Sequence, residues 1–119
     1  METAVKEKLA KAGIDADSGI ERFMGNEALF VKFLRRFPED PNFGKLEAAV
    51  DCGDTKTAFE AAYTLKGVCG NLSMTELLRL VSSQVELLRA GELDEASEMM
   101  PGIRQAYENI LTLLQEWAP

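Results

Sequence analysis

Tyr63 and Lys66 stand three residues apart in the run Ala61-Ala62-Tyr63-Thr64-Leu65-Lys66-Gly67-Val68-Cys69-Gly70-Asn71-Leu72, where they are the side chains best able to do polar chemistry. Set on a helix at about 100° per residue, this run divides into two faces. Ala58, Ala61, Ala62, Leu65, Val68, Cys69 and Leu72 fall within about ±60° of Leu65, a stripe of the kind that is buried. Lys56, Tyr63, Gly67 and Gly70 lie opposite, with Phe59 and Lys66 on one flank and Glu60 on the other. A glycine inside a helix costs about 0.5–1 kcal/mol relative to alanine. Two of them beside a tyrosine on the solvent side imply that something approaches the backbone there.

The chemistry open to these residues is narrow. A phenol has an ordinary pKa of about 10, keeps its proton at neutral pH and is a weak nucleophile without an adjacent base. The chain has no histidine, which removes the commonest general base, the commonest transition-metal ligand and the usual serine or cysteine triads. Asp15-Ala16-Asp17-Ser18-Gly19 has the look of a calcium loop, but Ile20 takes the sixth position, where glycine is needed, and Asn26 the twelfth, where glutamate is needed. Helix capping is the better reading of that segment. Glu92, Asp94, Glu95 and Glu98 form an acidic helix start that complements the macrodipole. No glycine-rich loop of the phosphate-cradling kind occurs. The expectation is therefore no enzyme, no metal and no cofactor.

Composition narrows the partners. At 119 residues, with 46% hydrophobic and 28% charged residues, the chain reads as one soluble domain, residues 1–119. A net charge of −7 argues against nucleic acid and anionic membrane surfaces. No stretch approaches the ~20 apolar residues of a membrane span. The segment Met1 to Lys11 is charged and lacks the apolar run of a secretory leader. Cys52 and Cys69 have no paired spacing, and Cys69 sits on the apolar stripe as a buried free thiol. A reducing, cytoplasmic setting is expected.

The elements that must position the run are helical throughout. The spacing predicts a helix over 3–12 closed by Gly13, then one over roughly 18–24 capped by Asp17 or Ser18, with Ser18 and Glu21 as a capping box. Asn26 caps a helix over 27–37 carrying Leu29, Phe30, Phe33, Leu34 and Phe37 at helical spacing, and Pro38-Glu39-Asp40-Pro41 breaks it. Phe43, Leu46, Ala49 and Val50 face inward on 42–52, which Gly53 ends. Asp54 caps 55–71. Ser73 and Glu76 suggest a second capping box for 74–90, whose Leu77, Val81, Gln84, Val85 and Leu88 face inward. After Gly91, Ala96, Met100, Ile103, Tyr107, Ile110, Leu114 and Trp117 form a stripe over 92–117 that Pro101 kinks or restarts. With no period-two alternation and no hairpin turn, the product is an all-α antiparallel bundle with short connections.

Ala62-Tyr63-Thr64-Leu65-Lys66-Gly67, continuing Val68-Cys69-Gly70-Asn71-Leu72, resembles the signature of histidine phosphotransfer (HPt) domains, which carry His-x-Leu-Lys-Gly on the solvent face of a four-helix bundle. Gly13-Ile14-Asp15, Gly19-Ile20-Glu21-Arg22-Phe23 and Leu29-Phe30 through Leu34-Arg35-Arg36-Phe37 resemble the family's amino-terminal half. The resemblance covers about residues 14–117, and it implies a four-helix bundle of HPt type with short additional N-terminal helices.

One position departs from the family pattern: Tyr63 stands where the phospho-accepting histidine belongs. The resemblance thus implies a pseudo-HPt domain without phosphohistidine, because a phenyl phosphate is a poor donor back to a receiver aspartate. It also implies a surviving docking face of Phe59, Tyr63, Lys66, Gly67 and Gly70 for a response-regulator receiver domain or a hybrid histidine kinase. In the family, the matching lysine interacts with the phosphoryl group and the small residues let the receiver come close. A monomer is expected. The competing readings are a structural or dimerising bundle that has lost receiver binding and, least favoured, phosphotransfer through Tyr63.

Overall fold

The computed structural model describes residues 1–117, and among them every regular element is a helix. In order these are α1 (Thr3–Lys11), α2 (Ala16–Arg22), α3 (Glu27–Arg36), a 3₁₀ turn (Phe37–Glu39), α4 (Asn42–Asp51), α5 (Thr55–Asn71), α6 (Thr75–Arg89), α7 (Leu93–Glu98) and α8 (Met100–Trp117). The connections from α4 to α5 and from α5 to α6 are so short that neighbours must run antiparallel. Helix α5 packs between α4 and α6, and α8 packs on α6. Tyr107 of α8 closes the ring by stacking on Phe43 of α4, centroids 4.0 Å apart. This is the all-α four-helix bundle with short N-terminal helices that the sequence leads one to expect.

Five helix ends share one device. After α1, α2, α4, α5 and α6 the next residue but one past the helix has a positive φ, and the residue after it donates back into the last turn. Glycine serves at three of these positions, Gly13, Gly53 and Gly91, whereas Met24 (φ 58°) and Ser73 (φ 51°) serve at the other two.

Ser73 corrects a sequence expectation. A capping serine needs an extended backbone, and Ser73 is already committed to ending α5. The capping box with Glu76 does not form; Glu76 instead pairs with Arg79. The N-terminus of α6 is served by the carbonyl of Gly13, which accepts from Glu76 N (3.3 Å) and Thr75 Oγ1 (2.9 Å). Asp15, not Asp17 or Ser18, caps α2 by accepting from Ser18 N, so α2 begins two residues earlier than its expected start. The hydroxyl of Ser18 is hydrogen-bonded to that of Ser73. The last apolar stripe divides at Met99, with Pro101 in the first turn of a new helix, where its missing N–H costs nothing.

The core runs the length of the bundle through Leu34, Leu46, Leu65, Leu77, Val81 and Ile110, all fully buried. Gln84 is polar yet fully buried: its Nε2 donates to the Ala96 carbonyl at 3.0 Å and ties α6 to α7. Gly19 lets α2 lie against α3, since a Cβ there would come within 2.3 Å of the Phe30 ring.

Candidate functional site

Helix α5 is capped as its sequence demands. Asp54 accepts from Thr57 N (3.1 Å) and Thr57 Oγ1 (2.7 Å), and these bonds hold its carboxyl below the usual carboxylate range. Ala58, Ala61, Ala62, Leu65 and Cys69 form the buried face, with Leu72 buried just past the last turn. Three alanines in that stripe allow α4 and α6 to come close on both sides, which leaves the opposite face of α5 outermost. Val68, expected on the stripe, is only half-buried.

The five residues singled out from the sequence do share the outer face. Tyr63 is 56% exposed, Gly67 is exposed, and Lys66 and Gly70 are half-buried. None of the ion pairs among the described residues involves Lys66, so its ammonium is available to a ligand. A Cβ placed on Gly67 or on Gly70 would meet no atom within 4 Å. Nothing inside the molecule requires glycine at either position. The two together leave a stretch of bare helix backbone beside a tyrosine.

Phe59 differs from the expectation of a freely exposed ring. It is half-buried, its centroid lies 6.0 Å from that of Tyr63, and the guanidinium carbon of Arg89 lies over it at 5.0 Å. Sequence reasoning missed Arg89, because its place over Phe59 depends on how α6 is set against α5. Its position in the last turn of α6, where a cation is favoured, was the available signal.

The outer face of α5 offers an exposed phenol, an ammonium outside the ion pairs of the described residues and bare helix backbone. Among the described residues no group of three histidine, cysteine, aspartate or glutamate side chains could hold a metal. The segment with the look of a calcium loop supplies a helix cap through Asp15. Cys69 lies beneath the site but is fully buried, and burial pushes its thiol up to about 12, with Asp40 adding in the same direction. It cannot serve as a nucleophile at neutral pH. Cys52 is exposed and far along the chain, beyond the helix start.

The family model for the Hpt domain matches residues 28–116. The matched span therefore begins after α2, leaving the stretch 14–27 outside it. No curated protein and no solved structure matches the chain.

Proposed function

Because the chain belongs to the Hpt domain family, whose members are phosphotransfer modules of two-component signalling that interact with receiver domains or kinases, we propose that it is a pseudo-HPt domain. It docks a response-regulator receiver domain, or the receiver of a hybrid histidine kinase, through Phe59, Tyr63, Lys66, Gly67 and Gly70. It carries no phosphohistidine, since the chain has no histidine and Tyr63 occupies the acceptor position. It acts in the cytoplasm as a monomeric competitor, adaptor or scaffold. In keeping with this, among the described residues no helix is long and apolar enough to cross a membrane.

The observation that carries the reading is the pair of glycines. Each weakens the helix and neither is required by packing, so the reason for them lies outside the chain. The exposed Tyr63 ring beside them is the type of residue that anchors interface centres. The unpaired Lys66 adds a cation for the acidic phosphoryl site of a receiver.

Titration with purified receiver domains from the same genome tests this. Gly67→Arg should abolish binding while leaving helical content unchanged; unaltered affinity would move the docking face elsewhere. Tyr63→His should gain an acid-labile phosphate from a phosphorylated receiver that binds, while the parent chain gains none. An acid-stable phosphate on Tyr63 in the parent chain would overturn the non-transferring reading.

A further inference from the structure

Helix α7 lies between two breaks in the helical run. Gly91 holds a left-handed backbone (φ 78°) after α6, and the run breaks again at Met99, before α8. The helix itself has six residues, well short of the ~12–15 at which a helix is marginally stable alone. Ala96 is its buried residue, with Leu93 and Met99 half-buried at either end. We infer that α7 is a salt-gated flap, opening and closing as a unit on α4, α6 and α8, with the open state favoured at low ionic strength.

Repulsion opposes closure. Glu92, Asp94, Glu95 and Glu98 are exposed carboxylates on or beside this one short helix, and none takes part in an ion pair among the described residues. Asp94 and Glu98 stand four residues apart, where like charges destabilise a helix. Glu98 is the last residue of α7, at the negative end of the macrodipole. The helices packed against α7 offer little relief. Arg79 and Arg89 of α6 pair with Glu76 and Glu86, and Arg104 of α8 pairs with Glu47. Helix α4 carries Lys45 in its first half and ends in a further carboxylate, Asp51.

The latch that holds α7 down is itself finely balanced. Gln84 Nε2 donates to the Ala96 carbonyl (3.0 Å) and to Met100 Sδ (3.1 Å), while Gln84 Oε1 is buried without a partner. A buried acceptor left without a hydrogen bond keeps its full desolvation penalty. Lifting α7 off Gln84 admits water to the amide and satisfies both of its ends, so the closed state is the one that carries the penalty. An apolar side chain of similar size would reverse the balance, because opening would then wet it. The Ala96 carbonyl would keep a donor, since Met99 N also bonds to it (3.2 Å). Burial of Ala96 and the two Nε2 bonds thus favour closure, and the unpaired oxygen and the unscreened carboxylates oppose it. Salt acts on the carboxylates and shifts the population towards the closed state.

Amide hydrogen exchange of the full chain, read by nuclear magnetic resonance, tests this without any partner. Raising sodium chloride from about 10 mM to about 1 M shortens the screening length from roughly 30 Å to roughly 3 Å. Ala96 N and Met99 N bond to the Glu92 and Ala96 carbonyls, and their protection reports the closed flap. It should rise about threefold with salt, relative to Leu65 N in α5. At low salt Glu98→Lys should raise it by a similar factor and remove most of the response to salt. Gln84→Met should raise it and leave the response in place. Protection of α7 that follows Leu65 at every salt concentration would overturn the inference, because α7 would then open only with the whole bundle. No response to salt, or no gain in Gln84→Met, would overturn it as well. Glu98 is exposed, so its variant decides the matter even where Gln84→Met fails to fold.

Discussion

Arg89 of α6 lies over the ring of Phe59 of α5, guanidinium carbon to centroid 5.0 Å, and Phe59 in turn lies 6.0 Å from Tyr63. Two helices thus hold one aromatic pair in place on the proposed docking face. Arg89→Ala should loosen that pair. The expected outcome is a several-fold loss of receiver affinity with stability changed by less than about 1 kcal/mol, the scale of an exposed cation–π contact. Calorimetric titration beside a urea melt would separate the two, and a large stability loss with unchanged affinity would count against the positioning role.

Gly67→Ala and Gly70→Ala should each raise stability by about 0.5–1 kcal/mol, because the added methyl meets open space and the helix gains propensity. Urea denaturation measures this directly. A loss of stability would mean that packing requires the glycines and would remove the main support for a docking face.

The same substitution at Gly19 should have the opposite sign. Its Cβ would lie 2.3 Å from Cε1 of Phe30, a fully buried ring with no room to retreat. Gly19→Ala is expected to cost about 1–3 kcal/mol, the usual penalty of overpacking, visible as a lower urea midpoint.

Cys69 should set part of the alkaline limit of stability. Its folded-state pKa is raised by burial, from 9.0 to about 12, so the folded protein holds the proton more tightly than the unfolded chain. That contribution is complete below the ordinary thiol range and fades as pH climbs from there towards about 12. Tyr107 acts in the same direction, its phenol raised by partial burial and by Asp40. Cys69→Ala should flatten the fall of stability with alkaline pH. In the native protein at pH 8 a thiol reagent should modify the exposed Cys52 and spare Cys69, and in denaturant it should modify both.

The bundle was legible wherever one residue carries its own signal. Asn26 and Asp54 cap the helices they were expected to cap, and the two-faced pattern of α5 is local geometry that neighbours did not override. The failures occur where a residue answers to a distant one. Asp15, Asp17 and Ser18 are all able to cap, and the bond from Asp15 N to the Ser73 carbonyl helps hold Asp15 extended. Ser73 reads as a cap by type, but its positive φ comes from the tight turn between α5 and α6. Arg89 over Phe59 and the bond from Gln84 to the Ala96 carbonyl are relations between helices, which no single periodic pattern encodes. The buried and exposed sides of α5 were readable and the residues that flank them were not.

The bonds from Glu76 N and Thr75 Oγ1 to the Gly13 carbonyl, with that from Asp15 N to the Ser73 carbonyl, cross from the first segment to the turn before α6. Leu9 and Ile14 are buried in the core on the same side. The family match starts at residue 28, but the packed core already includes Leu9 and Ile14. A chimera that borrowed only the recognised span would receive a bundle with one end open: an apolar socket without its plug and a helix start without its acceptor. Transplanting α5 with its packing intact means carrying the first 27 residues with it.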